Sequence, residues 1–343
     1  MPSKGEDITP VLKEYDINVK GIKLESYKGK KGVWWINTDK GYKILKKQSF
    51  SDKTLDFIID AINHLNSNGV YIPNIIKTRL GDDYVIKDGV CFVLSEAIDG
   101  STLNYSSDEN VRRIIHELAR FHKASRGFNP REDYKVRTHL GLWTEKYEKE
   151  MHKLEKYYNV ELNKNEHSEF GKIILKEYPH FYKRINSAID GFYKKSYIDW
   201  VKEVEEIGGL CHQDFTAGNC ILENTGRLYI LDTDSLTIDI PLRDIRKILN
   251  KIMKRQNDGW DYELTKNILK WYNEQNPLKD YQWDVLKPTL TYPHLFVGIM
   301  SKYYERREKT WTEQKYVKRL KEMISIEKSV EPIINNFEDI IPV

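Results

Sequence analysis

The residues best suited to chemistry lie in one stretch, Leu210-Cys211-His212-Gln213-Asp214-Phe215-Thr216-Ala217-Gly218-Asn219-Cys220-Ile221-Leu222-Glu223. It continues through Asn224-Thr225-Gly226-Arg227 into Leu228-Tyr229-Ile230-Leu231-Asp232-Thr233-Asp234. Apolar runs on both sides of Asn224–Arg227 read as two strands joined by a hairpin loop of those four residues. In that register Glu223 faces Leu228, Cys220 faces Leu231 and Asn219 falls opposite Asp232, with Cβ atoms about 4.5–5.5 Å apart. An amide oxygen and a carboxylate then meet at the open end of the hairpin. Oxygen donors gathered at one point suit Mg²⁺, a hard cation that binds through carboxylates and substrate phosphates. Asp214, in a glycine-containing loop just before Asn219, is placed to orient a nucleophilic hydroxyl beside that ion. A positioned nucleophile and a metal-neutralised phosphate are what phosphoryl transfer requires. Taken singly, His-x-Asp is usually a capped turn and Asp-x-Asp a polar loop. Together at this spacing, each after a strand, they point to chemistry.

The elements that must hold these residues fall into two regions. Val33-Trp34-Trp35-Ile36, the turn residues Asn37 to Gly41, and Tyr42 to Lys46 predict a hairpin. Leu55, Ile58, Ile59, Ile62 and Leu65 recur at helical spacing and stop at Asn68-Gly69. A second hairpin runs from Asp83 to Leu94 about Asp88-Gly89. After a linker at Glu96 to Gly100 the period changes. Ser106-Ser107-Asp108 can cap a helix bearing Val111, Ile114, Ile115, Leu118 and Phe121 on one face. Residues 143 to 204 read as helical, Cys211 to Asp234 as a short β island, and the remainder as mostly helical. The expectation is an α+β fold with a small antiparallel β-rich lobe (1–98) and a larger helical lobe (99–343). A ligand is expected in a cleft between two such lobes.

Composition narrows the field. The chain has 343 residues, above the roughly 150 typical of one domain, and 40% hydrophobic with 31% charged residues is a globular balance. Lys+Arg of 55 against Asp+Glu of 52 argues against nucleic acid as a partner. Cys91, Cys211 and Cys220 form no CxxC, so a disulfide framework is not expected and a reducing compartment is. MPSKGEDITP has no apolar core of a signal peptide, and no run approaches 18 apolar residues, so neither export nor a membrane partner is expected. There is no GxxxxGK[ST], GxGxxG or GxSxG. Cys211, His212 and Cys220 have poor spacing for zinc and lack a fourth ligand.

His212-Gln213-Asp214 through Asn219 resembles the HxDxxxxN catalytic loop of the aminoglycoside phosphotransferase and choline kinase superfamily, with Gln213 where many members have Gly. Leu231-Asp232-Thr233-Asp234 resembles its metal motif. The resemblance implies a bilobal protein-kinase-like fold, ATP and Mg²⁺ as cofactors, Asp214 as catalytic base and His212 bracing the loop. It implies Asn219 and Asp232 as metal ligands, with Asp234 near the metal or behind it. Lys46 matches the strand lysine that holds the α/β-phosphates, and strand alternation favours it over Lys43. The segment from Ser95 to Ile98 resembles the adenine-binding hinge, where Glu96 and Ile98 would contribute backbone contacts. Asp244 in Pro241-Leu242-Arg243-Asp244-Ile245 is expected to cap and brace, and His122 to pack. The helix from Leu55 to Leu65 offers no Glu to pair with Lys46, only Asp56 or Asp60. Lys28-Gly29-Lys30-Lys31-Gly32, ahead of the first strand, reads equally as a phosphate-facing loop or a solvated turn.

Within that superfamily the chain resembles the bacterial spore-coat CotS-like proteins. The likeness is carried by Tyr27 to Trp34, Leu210 to Asn219, Leu231 to Leu236, Arg243 to Lys247, Tyr292-Pro293-His294 and Tyr303-Tyr304. It implies a mother-cell cytoplasmic protein deposited on the spore coat, with other coat proteins as partners. Asp244 follows Asp232 by only twelve positions, too short a span for a protein kinase's activation segment, which favours a small hydroxylated acceptor. The competing expectation is a kinase-fold coat component with little or no turnover.

Overall fold

In this computed structural model residues 6–254 and 259–342 are described. A short helix α1 (Thr9–Leu12) precedes strands β1 (Val19–Lys28), β2 (Lys31–Thr38) and β3 (Gly41–Gln48), then helix α2 (Asp52–Ser67). Next come β4 (Val85–Lys87), β5 (Val90–Glu96), β6 (Ser101–Thr102) and α3 (Asp108–Ala124). Three helices follow, α4 (Trp143–Leu162), α5 (Glu169–Phe192) and α6 (Lys195–Ile207). The β island comprises β7 (Leu210–Cys211), β8 (Cys220–Leu222), β9 (Leu228–Ile230) and β10 (Thr237–Ile238). The chain closes with α7 (Leu242–Met253), α8 (Tyr262–Gln275), α9 (Asp280–Thr291), α10 (His294–Tyr304), α11 (Glu313–Ser329) and α12 (Glu331–Asn335).

Two compact units result. The strand-rich unit is Met1–Asn104 with Gly127–Arg137 and Asp214–Thr237; the helical unit takes Tyr105–Arg126, Thr138–Gln213 and Ile238–Val343. In the first, an antiparallel sheet has the order β1-β2-β3-β5-β4. Alternation along β2 and β3 sends Trp34, Ile36 and Leu45 to one face, where they bury against Val11, Leu12 and Tyr15. Val93 and Cys91 of β5 face the other way and pack on Leu55 and Ile59 of α2. Lys46 lies in register between Val33 and Val93, on the face away from Leu45. The β4–β5 turn has Asp88 at φ 53° and Gly89 at φ 72°, the paired positive dihedrals of a two-residue hairpin. Ser107 caps α3 by accepting the Asn110 N–H.

Two sequence expectations are corrected. Lys28 to Gly32 does not precede the first strand; it is the hairpin turn between β1 and β2, with Lys28 opposite Lys31 and Gly29 at φ 57°. The loop joining β8 and β9 is also one residue longer than expected. Gly226 N–H bonds the Glu223 carbonyl and Glu223 N–H bonds the Arg227 carbonyl, both at 2.9 Å, with Gly226 at φ 87°. This is a tight turn followed by a glycine bulge, which adds a residue to one strand. Leu222 therefore pairs with Leu228 and Cys220 with Ile230. Asn219 comes level with Leu231, whose N–H it accepts at 2.8 Å, and not with Asp232.

The helical unit is built around α5, which packs on α4, α9 and α11. Gly191 of α5 exists because of that approach: a Cβ there would lie 2.5 Å from Cβ of Pro288 in α9. All three cysteines are buried thiols outside any disulfide. Among the described residues no helix is long and apolar enough to cross a membrane.

Candidate functional site

In the strand-rich unit, Lys46 reaches the turn after β9. Its Nζ donates to Oδ1 of Asp232 at 3.0 Å and to Oδ1 of Asp234 at 3.2 Å. Burial alone would lower the Lys46 pKa, but the carboxylates of Asp234 and Asp232 outweigh it and the net shift is upward, so the ammonium is held charged. Asp232 has φ 58°, a left-handed conformation that Asp tolerates better than most residues, and it starts a 3-10 turn over Thr233–Ser235. That turn brings Asp234 round to the same lysine. Gln48 Nε2 donates to Asp234 Oδ1 at 3.1 Å, and Arg137 donates to the Asp234 carbonyl. Half of the Asp232 side chain remains exposed.

Asp214 and Asn219 stand together in the loop before β8. Asn219 Nδ2 donates to the Asp214 carbonyl at 2.9 Å, which fixes the amide and makes its Oδ1 the end available as a ligand. Asp214 is exposed. The sequence-predicted partners for Lys46 on α2 are not used: Asp56 accepts from the Tyr84 hydroxyl at 2.9 Å. Glu96 closes β5 with its N–H on the Asn74 carbonyl at 3.0 Å and its carboxylate accepting from Asn74 Nδ2; Ile98 is half-buried just beyond. Gln48 and Arg137 escaped the sequence reading. Gln48 shares the face of Lys46 by strand alternation and was readable in principle, whereas nothing local marks Arg137.

In the helical unit the start of the same loop is braced from below. Asp244, fully buried at the start of α7, accepts the His212 N–H at 2.6 Å and the Gln213 N–H at 2.9 Å. His122 bridges it to Tyr272, its ring nitrogens 3.3 Å from Asp244 Oδ2 and 2.8 Å from the Tyr272 hydroxyl. Burial would raise the Asp244 pKa, but hydrogen bonds and charge from His122, with the His212 N–H, hold it below the usual value. Gln213 sits at φ 71°, where glycine is most at ease, and Lys247 Nζ donates to both its carbonyl and its Oε1. His122, Cys211 and Asp244 have ligand-type atoms within 4.8 Å of one another. They are already engaged: Cys211 donates to the Ile240 carbonyl at 3.1 Å, and burial raises its thiol pKa well above normal. This is a hydrogen-bonded brace.

Comparison with solved structures gives the class of fold. An aminoglycoside phosphotransferase from Alicyclobacillus acidocaldarius matches with a TM-score of 0.76 at 18% identity, covering 97% of this chain and 98% of the other. Spectinomycin phosphotransferase APH(9)-Ia, solved with ADP and spectinomycin, matches at 0.63 and 13% identity over 96% and 99%. The amicoumacin kinase hAmiN, in complex with AMP-PNP, Ca²⁺ and Ami, matches at 0.60 and 16% identity over 94% of each chain. The fold is therefore the α+β protein-kinase-like fold of these phosphotransferases. Within it the chain belongs to the family described as "Spore coat putative kinase YutH", whose pattern matches residues 10–337. Spore coat protein S of Bacillus subtilis is 30% identical over 97% of this chain and 94% of its own length. The endospore coat-associated protein YutH of the same organism is 22% identical over 69% of this chain and 66% of its own length.

Proposed function

We propose that the chain is an ATP- and Mg²⁺-dependent phosphotransferase acting on a small hydroxylated acceptor and associated with the bacterial spore coat. The observation that carries this is the grouping of Lys46 with Asp232 and Asp234. An ammonium set against two carboxylates, one half open to solvent, fits a phosphate-bound divalent ion as well as a nucleotide. The donor set is all oxygen, as Mg²⁺ prefers, with Asp232 and Asn219 as ligands and Asp234 beside them. When bound, the ion would neutralise charge on the transferring phosphoryl group.

The chain's own groups do the rest. Lys46 holds the α- and β-phosphates, and Glu96 and Ile98 offer backbone groups to the base. Asp214 accepts the proton of the acceptor hydroxyl as its oxygen bonds to the γ-phosphorus and the bond to the departing diphosphate breaks. His212 and Asp244 keep the loop in position. Residues 1–98 are assigned to the nucleotide and 99–343 to the catalytic loop and acceptor. Titration calorimetry tests the reading: MgATP should bind the wild type, and Asp214→Ala should abolish turnover while retaining the nucleotide. Absence of Mg-dependent ATP binding would reject it.

Membership of a spore-coat family favours a second reading, a coat component in which turnover is dispensable. Complementation separates the two. If Asp232→Asn restores normal coat assembly and spore resistance in a deletion strain, the scaffold reading holds.

A further inference from the structure

The helical unit gathers a second set of charges. Along one face of α4 lie Trp143, Lys146, Tyr147 and Glu150, three to four residues apart; α7 carries Arg243 and Arg246 one turn apart; His294 opens α10 just after Tyr292. Ring contacts tie these segments together, α7 to α4 through the Arg243 guanidinium, which stands 5.1 Å from the centre of the Trp143 ring. Tyr147 stacks on Tyr292 with centroids 4.1 Å apart and meets His294 edge-on at 5.6 Å, while Tyr292 and His294 are 4.7 Å apart. Lys146 Nζ stands 5.9 Å from the centre of the Tyr147 ring.

Most ionisable groups around this cluster already have partners. Arg243 pairs with Asp239, Arg184 with Glu327 at 3.1 Å, and Glu150 accepts the Tyr292 hydroxyl at 2.8 Å. Lys146 and Arg246 do not: among the described residues neither side chain has a hydrogen-bond or ion-pair partner. Lys146 is exposed and Arg246 half-buried, so both can be reached from solvent. Beside them Nε2 of His294 is buried and likewise unpartnered. Burial, then Arg246 and Lys146, hold the His294 pKa well below its usual value, leaving a neutral imidazole. Partial desolvation of the charged ends, against the pull of Glu150 on Lys146 and of Tyr147 on Arg246 and with the repulsion of Arg243, lowers both pKa values. The carboxylates that act on them from nearby, Glu150 on Lys146 and Glu327 and Asp244 on Arg246, hold neither cation in an ion pair, and the ring nitrogen beside them is unsatisfied.

We propose that the acceptor is an anion, a small hydroxylated carboxylate or phosphate ester, whose charged group is held by Arg246, Lys146 and His294. The word acceptor rests on the phosphotransferase reading; the anion site does not. A guanidinium fork and an ammonium match a carboxylate or phosphate, and a neutral imidazole can donate its remaining N–H to the same oxygens. The next residue on α7, Lys247, supports Gln213, which is bonded in the chain to Asp214. One helix thus carries both the anion's main ligand and the support of the loop leading to the base. A cationic acceptor such as an amino sugar would meet repulsion here.

Differential scanning fluorimetry and calorimetry on the full chain, with matched probes, test this. Gluconate is compared with glucose, glycerol 3-phosphate with glycerol, and spectinomycin serves as the cation. The anion of each pair is expected to raise the melting temperature, and the neutral and cationic probes to leave it unchanged. Arg246→Gln and Lys146→Gln should each weaken anion binding at least tenfold while keeping the wild-type response to MgATP, which shows that they fold. Neutral or cationic probes binding as well as the anions, no response to either anion, or undiminished anion binding in both variants would overturn the proposal. Anion binding without MgATP binding would leave the site standing and remove the phosphotransfer reading. MgATP binding without anion binding would do the reverse.

Discussion

At the scale of single residues, the loop that starts at His212 depends on one buried carboxylate. Asp244 satisfies two backbone N–H groups and faces the His122 ring, in a place where water cannot substitute. Asp244→Ala leaves those donors buried and unpaired at about 1–3 kcal/mol each, so a loss of roughly 3 kcal/mol is expected in urea unfolding, with Asp244→Asn milder. Gln213 makes a different bargain. Its left-handed backbone is strained for a side chain, yet that side chain gives Lys247 a second acceptor. Burial pushes the Lys247 pKa down to about 8, against about 10.4 in an unfolded chain. Between these values the unfolded chain binds the proton and the folded one releases it, so stability rises with pH across that window. Below pH 8 both states are protonated and the full cost of burying the ammonium applies. Because Lys247 is half-buried, the rise is discounted to on the order of 1 kcal/mol. Comparing wild type with Lys247→Met from pH 7 to 10 isolates it; a stability difference flat with pH would contradict the assignment.

At the scale of elements, the hairpins show why some of the structure was legible in the sequence and some was not. Asp88-Gly89 names its own turn, because two adjacent positive dihedrals admit few other pairs. Strand β1 gave no such sign. Its residues are mostly exposed, so no apolar alternation betrays it, and only pairing with β2 makes it a strand. The motif residues around Asp214 and Asp232 were readable, but their register was not, since the bulge at Gly226 inserts a residue without altering the hydrophobic pattern. Gly226→Ala should cost about 1–2 kcal/mol, the penalty for a Cβ in a left-handed conformation, and lower the affinity for MgATP by disturbing the register of β9, which leads into Asp232. Calorimetry beside thermal unfolding checks both parts. Between helices, Gly191→Ala would drive a methyl group into Pro288 and force α5 from α9, at an expected cost of about 1–3 kcal/mol in unfolding free energy. The cluster of Lys146, Arg246 and His294 was invisible in the sequence for a related reason. Its members come from three helices far apart in the chain, and only tertiary packing brings them together.

At the scale of the whole molecule, a net charge of +3 hides strong local contrasts. Among the described residues the buried charges are spent in pairs where two of opposite sign meet, such as Arg243 with Asp239 and Arg184 with Glu327. Lys46 is also paired internally, with Asp232 and Asp234, the residues that the proposed function assigns to phosphate and metal. A ligand that binds only the folded chain stabilises it by about 2.7 kcal/mol at a hundred times its dissociation constant. MgATP should therefore raise the unfolding midpoint, and ATP with excess EDTA should raise it much less, because the carboxylates then face phosphate oxygens without an ion between them. The charge sign makes the variants informative. Lys46→Ala removes attraction for the phosphates and leaves two carboxylates unopposed, so it should lose the MgATP response. Asp232→Ala removes a metal ligand while freeing Lys46 to meet phosphate, so it should lose the difference between ATP with and without Mg²⁺ while retaining weak binding of ATP itself. An Asp232→Ala chain that still distinguishes MgATP from ATP would show that the divalent ion is held elsewhere.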